Sequence, residues 1–487
     1  MQQGKKSKSY WIGLVVALLF VFLLPRIVHP WAASVTPVGV TVAMIFLGTI
    51  IALLTTNDPI LSALISMCAL VFNGVFAPND LISQVLGNYM VWQLMTLYVL
   101  SYVIIRDGTG ETIARFLLTR KWVQGRPLLI VAVLMVTMEI ASIFLGVFGA
   151  LILGFLLLKS ICDAIGLDTS SDFARCLYLG CYITINIGAN LMGKMNALHW
   201  ANAQFFIDGL GISIPSYSFS LYSLFISIAL LIVYILTMKF LFKCDMRAFT
   251  SQVDLAAILG TDNTKLSKRQ MIPLICFLAL AIYTFFGGML PDVPVISEFK
   301  NMGYIIFGTL ILVVLALIHV DGEPILSLNE GFSKGINWSI CLVVGALVVL
   351  GSQLLADECG IKAWLIQTIG EALTTTSPLL ILAIAIVLTT FLTNIFSNTA
   401  TMYIMSALIA AICAPLVGQG YELAVLPVAI SNSAQMAYMT IAASGQAVLL
   451  FNQENISKKF IWTKGAAILL IWCVTCFVVC AAIMYLF

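Results

Sequence analysis

Apolar positions in this chain are gathered in long unbroken runs, separated by short polar stretches. A hydrocarbon layer about 30 Å thick needs roughly 20 apolar residues per helical crossing. Runs of that kind lie near 10–29, 37–55, 59–77, 88–105, 173–203, 218–240, 272–290, 302–320, 337–356, 421–452 and 464–487, which predicts about eleven transmembrane helices. Two further runs, 127–160 and 378–416, do not fit a single crossing. As straight helices they would be about 50–60 Å long, nearly twice the layer. Two full crossings in each would leave no polar connecting loop, so each is expected to be a re-entrant helical hairpin. Non-helical backbone at such a tip is tolerable only where it is buried in protein or lines a wet cavity.

Charge sets the orientation. Lys5, Lys6 and Lys8 precede the first helix. Arg106, Arg115, Arg120, Lys121 and Arg126 crowd one loop, and Lys239, Lys243, Arg247, Lys265, Lys268 and Arg269 another. Lys458, Lys459 and Lys464 form a fourth group. With hairpins returning to their own side, all four groups fall on one face, which is expected to be cytoplasmic together with the N-terminus. Hairpin 127–160 then enters from the cytoplasm and hairpin 378–416 from outside, the mark of an inverted repeat. Pro127-Leu128-Leu129-Ile130 opens one hairpin and Pro378-Leu379-Leu380-Ile381 the other. Each follows a polar, Gly-containing helix end, Asp107-Gly108-Thr109-Gly110 and Asp357-Glu358-Cys359-Gly360. Paired discontinuous segments in two halves are the pattern of secondary transporters. The expected organisation is scaffold helices over 1–126, a first transport half over 127–240, further scaffold helices over 241–377 and a second transport half over 378–487.

Composition narrows the class. Apolar residues make up 61% of the chain and charged ones 9%, against about half and a quarter in soluble domains. No stretch is left for a soluble domain, and a net charge of +2 gives no basic face for nucleic acid. The first apolar run is too long for a signal peptide and lacks a cleavage site, so it is read as a retained helix of a plasma-membrane protein of the bacterial inner-membrane type. The twelve Cys form no CxxC array. Cys473, Cys476 and Cys480 share one helix face, but without a fourth ligand packing is the better reading than a metal site. No cofactor motif and no His-Glu-x-x-His or Gly-x-Ser-x-Gly is present, and the three His are read as lying at helix ends (His29, His319) or near one (His199).

The polar residues inside the spans are the candidate chemistry. The second hairpin is interrupted by Thr393-Asn394 and by Ser397-Asn398-Thr399-Ala400-Thr401. Unpaired in hydrocarbon, each hydroxyl or amide would cost a few kcal/mol, so a partner or a ligand is required, interhelical hydrogen bonding being the bland alternative. The next run carries Ser431-Asn432-Ser433, Gln435, Thr440 and Ala442-Ala443-Ser444-Gly445-Gln446, which predicts a broken helix offering carbonyls from one half and N–H groups from the other. In the first half, segment 173–203 carries Thr184, Asn186, Gly188, Asn190, Gly193, Lys194 and Asn196. The first hairpin carries only Glu139 and Ser142, followed by Gly146 and Gly149.

Ser397-Asn398-Thr399-Ala400-Thr401 resembles the Ser-Asn-Thr signature of the divalent anion:sodium symporter family, within the wider ion transporter superfamily, and the order of elements is similar over nearly the whole chain. The resemblance implies an all-α polytopic fold and a homodimer of elevator-type protomers embedded in lipid. It also implies sodium-coupled uptake or exchange of di- or tricarboxylates. By the resemblance, Ser397, Asn398 and Thr399 bind substrate and sodium, and Ala442, Ala443, Ser444 and Gly445 give carbonyls to a second sodium. Asn186, Lys194 and Asn196 are the matching candidates in the first half.

The first hairpin departs from the family pattern, with Glu139-Ile140-Ala141-Ser142 and Gly146-Val147-Phe148-Gly149 where a second Ser-Asn-Thr would fall, and Gly193-Lys194-Met195-Asn196 replaces a proline-containing break. A lone charge at that depth costs at least about 2.5–3.5 kcal/mol. Glu139 and Lys194 are therefore expected to pair, either with the Lys194 ammonium standing in for the first sodium or as a structural ion pair holding hairpin to helix. A sodium–proton antiporter using Glu139, a channel and a membrane enzyme are the competing readings.

Overall fold

The computed structural model describes residues 8–486 except 57, 119, 121–125, 165–166, 246–264, 287–292, 295, 355, 362, 365–366, 368–376, 396–397 and 441–442. Apart from one small pairing of His319–Val320 with Glu323–Pro324, the described regular structure is helical. The chain opens with α1 (Lys8–Leu18), continuing to Ile27, then α2 (Pro37–Thr56) and α3 (Pro59–Phe72). An amphipathic α4 (Pro78–Leu86) buries only Leu81 and Val85 before α5 (Tyr89–Arg106) and α6 (Thr109–Leu118). Starts are set locally. Proline stands at the head of α2, α3 and α4, and Asp58 and Asn88 accept from Leu61 N (3.1 Å) and Met90 N (2.9 Å) as caps.

Segment 127–160 appears as α7 (Pro127–Ala164), interrupted at Gly146 with φ 66° and ψ 167°. A Cβ added at Gly154 would lie 2.9 Å from Met138 Sδ. In a straight helix those positions would stand about 24 Å apart, so the segment folds back at Gly146. The second hairpin is α14 (Pro378–Leu392) and α15 (Asn398–Ile412), packed against each other. Fifteen residues per arm reach about 22 Å, short of a full crossing.

Each hairpin is followed by a broken span. The first is α8 (Asp172–Gly188), a 3-10 stretch Ala189–Met195, and α9 (Ala197–Leu210). It leads to α10 (Ser216–Leu236). Between the halves lie α11 (Lys268–Phe286), α12 (Ile296–Leu317) and α13 (Trp338–Leu354), the last joined to arm Leu328–Gly335 at 67°. The second broken span is α16 (Val425–Ala434) and α17 (Gly445–Phe451), and α18 (Ala466–Leu486) closes the described chain. The order short helix, long helix, polar turn, hairpin, broken span, long helix thus occurs twice. In the first occurrence α8 packs along α7, and in the second α16 packs on α14 and α15. The outer parts of the broken spans cross over, α9 onto α15 and α17 onto α7.

Seven described helices are long and apolar enough to cross a membrane by length and composition, eight if the bent pair is one span, and shorter apolar helices accompany them. The chain is thus an all-α polytopic protein. The seven include Pro127–Asp163, which folds back at Gly146, and Asp172–Met195 of run 173–203, which is interrupted at Gly193, whereas run 421–452 gives the shorter Val425–Ala434.

Candidate functional site

The second break is held open by one side chain. Asn394 accepts from Tyr438 N (2.9 Å) and Met439 N (2.8 Å) and donates to Thr390 O (2.8 Å) and Met436 O (2.9 Å). Thr393 Oγ1 donates to Ala434 O (2.7 Å), and Thr440 Oγ1 to Asn394 O (3.0 Å). Backbone groups orphaned where α16 stops therefore find partners on the hairpin tip, as a break inside the bilayer requires. Asn398 N donates to Ala443 O (3.2 Å), fixing the start of α15 against the same break. Asn398 Oδ1 accepts from Thr399 N (2.8 Å), and the residue is 9% exposed. Ser444 caps α17 through Ala447 N (3.0 Å) and lies 3.1 Å from Tyr182 Oη of α8. The first hairpin also arrives here, since a Cβ on Gly445 would stand 3.1 Å from the Phe148 ring. Ser397 and Ala442 lie outside the described residues. Of the remaining second-half candidates, Asn398, Ala443, Ser444 and Gly445 meet at one place, and Thr399 follows directly on Asn398.

In the first break, Gly193 has φ 47° and ψ −118°, and a Cβ there would stand 2.8 Å from Ser216 O, so only glycine fits. Asn196 Nδ2 spans the break to Ala189 O (2.7 Å). Asn186 Nδ2 turns back along its own helix to Tyr182 O (2.7 Å). These amides brace backbone. Lys194 is the charged group of the break, half-buried, with Nζ 4.9 Å from the Tyr304 ring centroid and 5.4 Å from that of Trp200.

The expected pair between Glu139 and Lys194 is not formed. The Glu139 carboxylate is buried and accepts from Ser227 Oγ of α10, and among the described residues no ion pair joins it to Lys194. The cause is the Gly193 turn: it anchors Lys194 N to Ser216 Oγ (3.2 Å) and Lys194 O to Gln93 Nε2 of α5, which sends the ammonium toward α12. Glu139 instead faces Gly188, where a Cβ would meet its Cγ at 2.7 Å.

A buried polar network joins the two broken spans. Asn190 donates to Asn432 Oδ1 (3.1 Å), and Asn190 Oδ1 meets Ser431 Oγ (2.7 Å) and His199 Nδ1. Gln435 Nε2 stands 3.0 Å from His199 Nε2. With Nδ1 facing a carbonyl oxygen and Nε2 facing an amide NH₂, the network assigns the proton to Nδ1 of a neutral ring. Asn202 on the same helix donates to Pro427 O (2.5 Å) and accepts from Ser406 Oγ of α15. Sequence reasoning set His199 aside and passed over Asn202, Ser406, Gln93 and Tyr304. A signal existed for two of them. His199 and Asn202 recur at i+3 on α9, three and six residues after Asn196 at its N-cap.

Cys476 and Cys480 place their sulfurs 3.8 Å apart, and no group of three metal-ligating side chains occurs among the described residues. A profile described as the sodium:sulfate symporter transmembrane region matches residues 7–486. The chain belongs to this family. Its similarity extends over nearly the whole chain, in keeping with the resemblance carried by Ser397 to Thr401. No curated protein matches the chain. Membership in the sodium:sulfate symporter family makes this a multi-span membrane transporter and supports sodium-coupled transport of an anion.

Proposed function

We propose that the chain carries small di- or tricarboxylates with sodium across a plasma membrane of the bacterial inner-membrane type. The observation that carries this reading is the convergence of both hairpins on the second break: Asn398 N on Ala443 O at 3.2 Å, and the Phe148 ring against Gly445. The start of the 15-residue α15 brings the positive end of its helix dipole, which suits an anion, and broken-helix carbonyls suit a sodium ion. Asn398 and Thr399 then contact the substrate, with Ser397 beside them, and Lys194 supplies a positive charge for a carboxylate. Asn186 and Asn196 shape the first break. Sodium is held by Ser397, Asn398 and the carbonyls of Ala442 to Gly445.

The mechanism that accompanies this reading is an elevator in a homodimer, with 127–240 and 378–487 moving against 1–126 and 241–377. Support comes from the twice-repeated element order and from the family resemblance. If the two halves are inverted, Ser170 after the first hairpin and Ser377 before the second lie on opposite sides of the membrane. Cysteines placed there in a Cys-depleted background should react with an impermeant maleimide from the cytoplasmic and outer faces respectively. Same-side labelling would remove the inverted arrangement.

The substrate class is tested by thermal melting of the purified protein with succinate, citrate or sulfate, each in sodium and in choline. A ligand that binds only the folded state raises the melting temperature. Stabilisation by succinate or citrate, enhanced by sodium, is expected. Stabilisation by sulfate alone would move the substrate to the anion in the family description.

A further inference from the structure

Gln93 and Tyr304 belong to α5 and α12, in the segments assigned above to the scaffold, yet both reach the first break. Gln93 Nε2 donates to Lys194 O, and Tyr304 Oη donates to Gln93 Oε1 (2.8 Å). The Tyr304 ring also receives the Lys194 ammonium at 4.9 Å. Gln93 is 3% exposed, so both ends of its amide are committed inside protein. Lys194 is therefore gripped twice, by its carbonyl and by its ammonium. Among the described residues that ammonium has no carboxylate within ion-pair distance.

We infer that Gln93 and Tyr304 are positioning residues that latch the empty carrier through Lys194, so that the loaded carrier moves more readily than the empty one. This rests on the reading that Lys194 faces the substrate anion. Without substrate, movement of the break breaks the Gln93 bond, strips the ammonium from the ring and carries an uncompensated charge through a low-dielectric path. A substrate carboxylate draws the ammonium off Tyr304 and neutralises it, removing two of the three obstacles. Gln93 and Tyr304 also line a narrow hollow, with room for about one water, together with Thr96, Thr284 and Met195. The consequence is functional. Exchange of one anion for another should outrun net uptake, because only net uptake requires the empty carrier to return.

The test uses full-length protein in liposomes with radiolabelled succinate. Efflux is measured with succinate on the far side and without it, for wild type, Gln93→Ala and the conservative Tyr304→Phe. Losing a hydrogen bond changes a rate by about two- to tenfold, so each variant should raise efflux into succinate-free medium by that factor while exchange stays near wild type. A purely structural contact would lower both rates together. A second measurement needs no substrate: Met195→Cys, buried under the latch, should react with a permeant maleimide several-fold faster once Gln93→Ala or Tyr304→Phe is added. An unchanged ratio of exchange to net efflux, or an unchanged labelling rate, overturns the latch. Absence of any succinate flux in wild type overturns the substrate reading instead, and the labelling rate then decides the latch by itself.

Discussion

Asn398→Ala should lower sodium-driven anion uptake in proteoliposomes at least tenfold while leaving expression and melting temperature near wild type. Asn398 is the first residue of α15 with its side-chain oxygen on the adjacent Thr399 N, a single hydrogen bond whose loss costs about 1 kcal/mol, too little to unfold the protein. Its backbone N–H, which ties the tip to Ala443, survives the substitution. Function is lost on the proposed reading because the amide is the tip's polar group toward the substrate and sodium. Thr399→Ala should behave likewise. Uptake by both variants within twofold of wild type would remove the tip from the binding site.

Asn394→Leu should produce the opposite pattern, a large fall in thermal stability whatever the ligand. The Asn394 amide satisfies two N–H groups and two carbonyls at the second break, and Leu can satisfy none of them. Each buried group left without a partner costs about 1–3 kcal/mol, so the combined penalty is large against ordinary single substitutions. The melting temperature should drop by many degrees, and added succinate should recover only part of the loss. A variant that melts like wild type would mean that water or neighbouring residues replace the clamp. Asn394 and Asn398 are four residues apart on one tip, yet one substitution should reduce transport and the other stability.

The hairpins and breaks were legible in the sequence because length and apolarity alone forbid a straight helix over 127–160 or 378–416, and polar residues in mid-run forbid an unbroken one. The roles of individual amides were not. Asn394, Asn398 and Asn186 look alike in the sequence, and only the backbone around each decides that the first clamps, the second holds the next N–H and the third bonds its own helix. The expected Glu139–Lys194 pair failed for a related reason. Depth in the membrane argued that each charge needs a partner, but Ser227 serves the carboxylate and two aromatic rings serve the ammonium. Ring partners such as Tyr304, more than a hundred residues away, leave no mark in local pattern. His199 was hidden by its position near a helix start, although its i+3 spacing to Asn196 and Asn202 pointed inward.

The most direct measurement of the central claim is uptake of radiolabelled succinate by the purified protein in liposomes, with an inward sodium gradient and with choline in its place. Saturable uptake well above protein-free liposomes, dependent on sodium and competed by unlabelled citrate, is the predicted result. Sodium-driven uptake of labelled sulfate that neither succinate nor citrate inhibits, with no succinate uptake, would contradict the account.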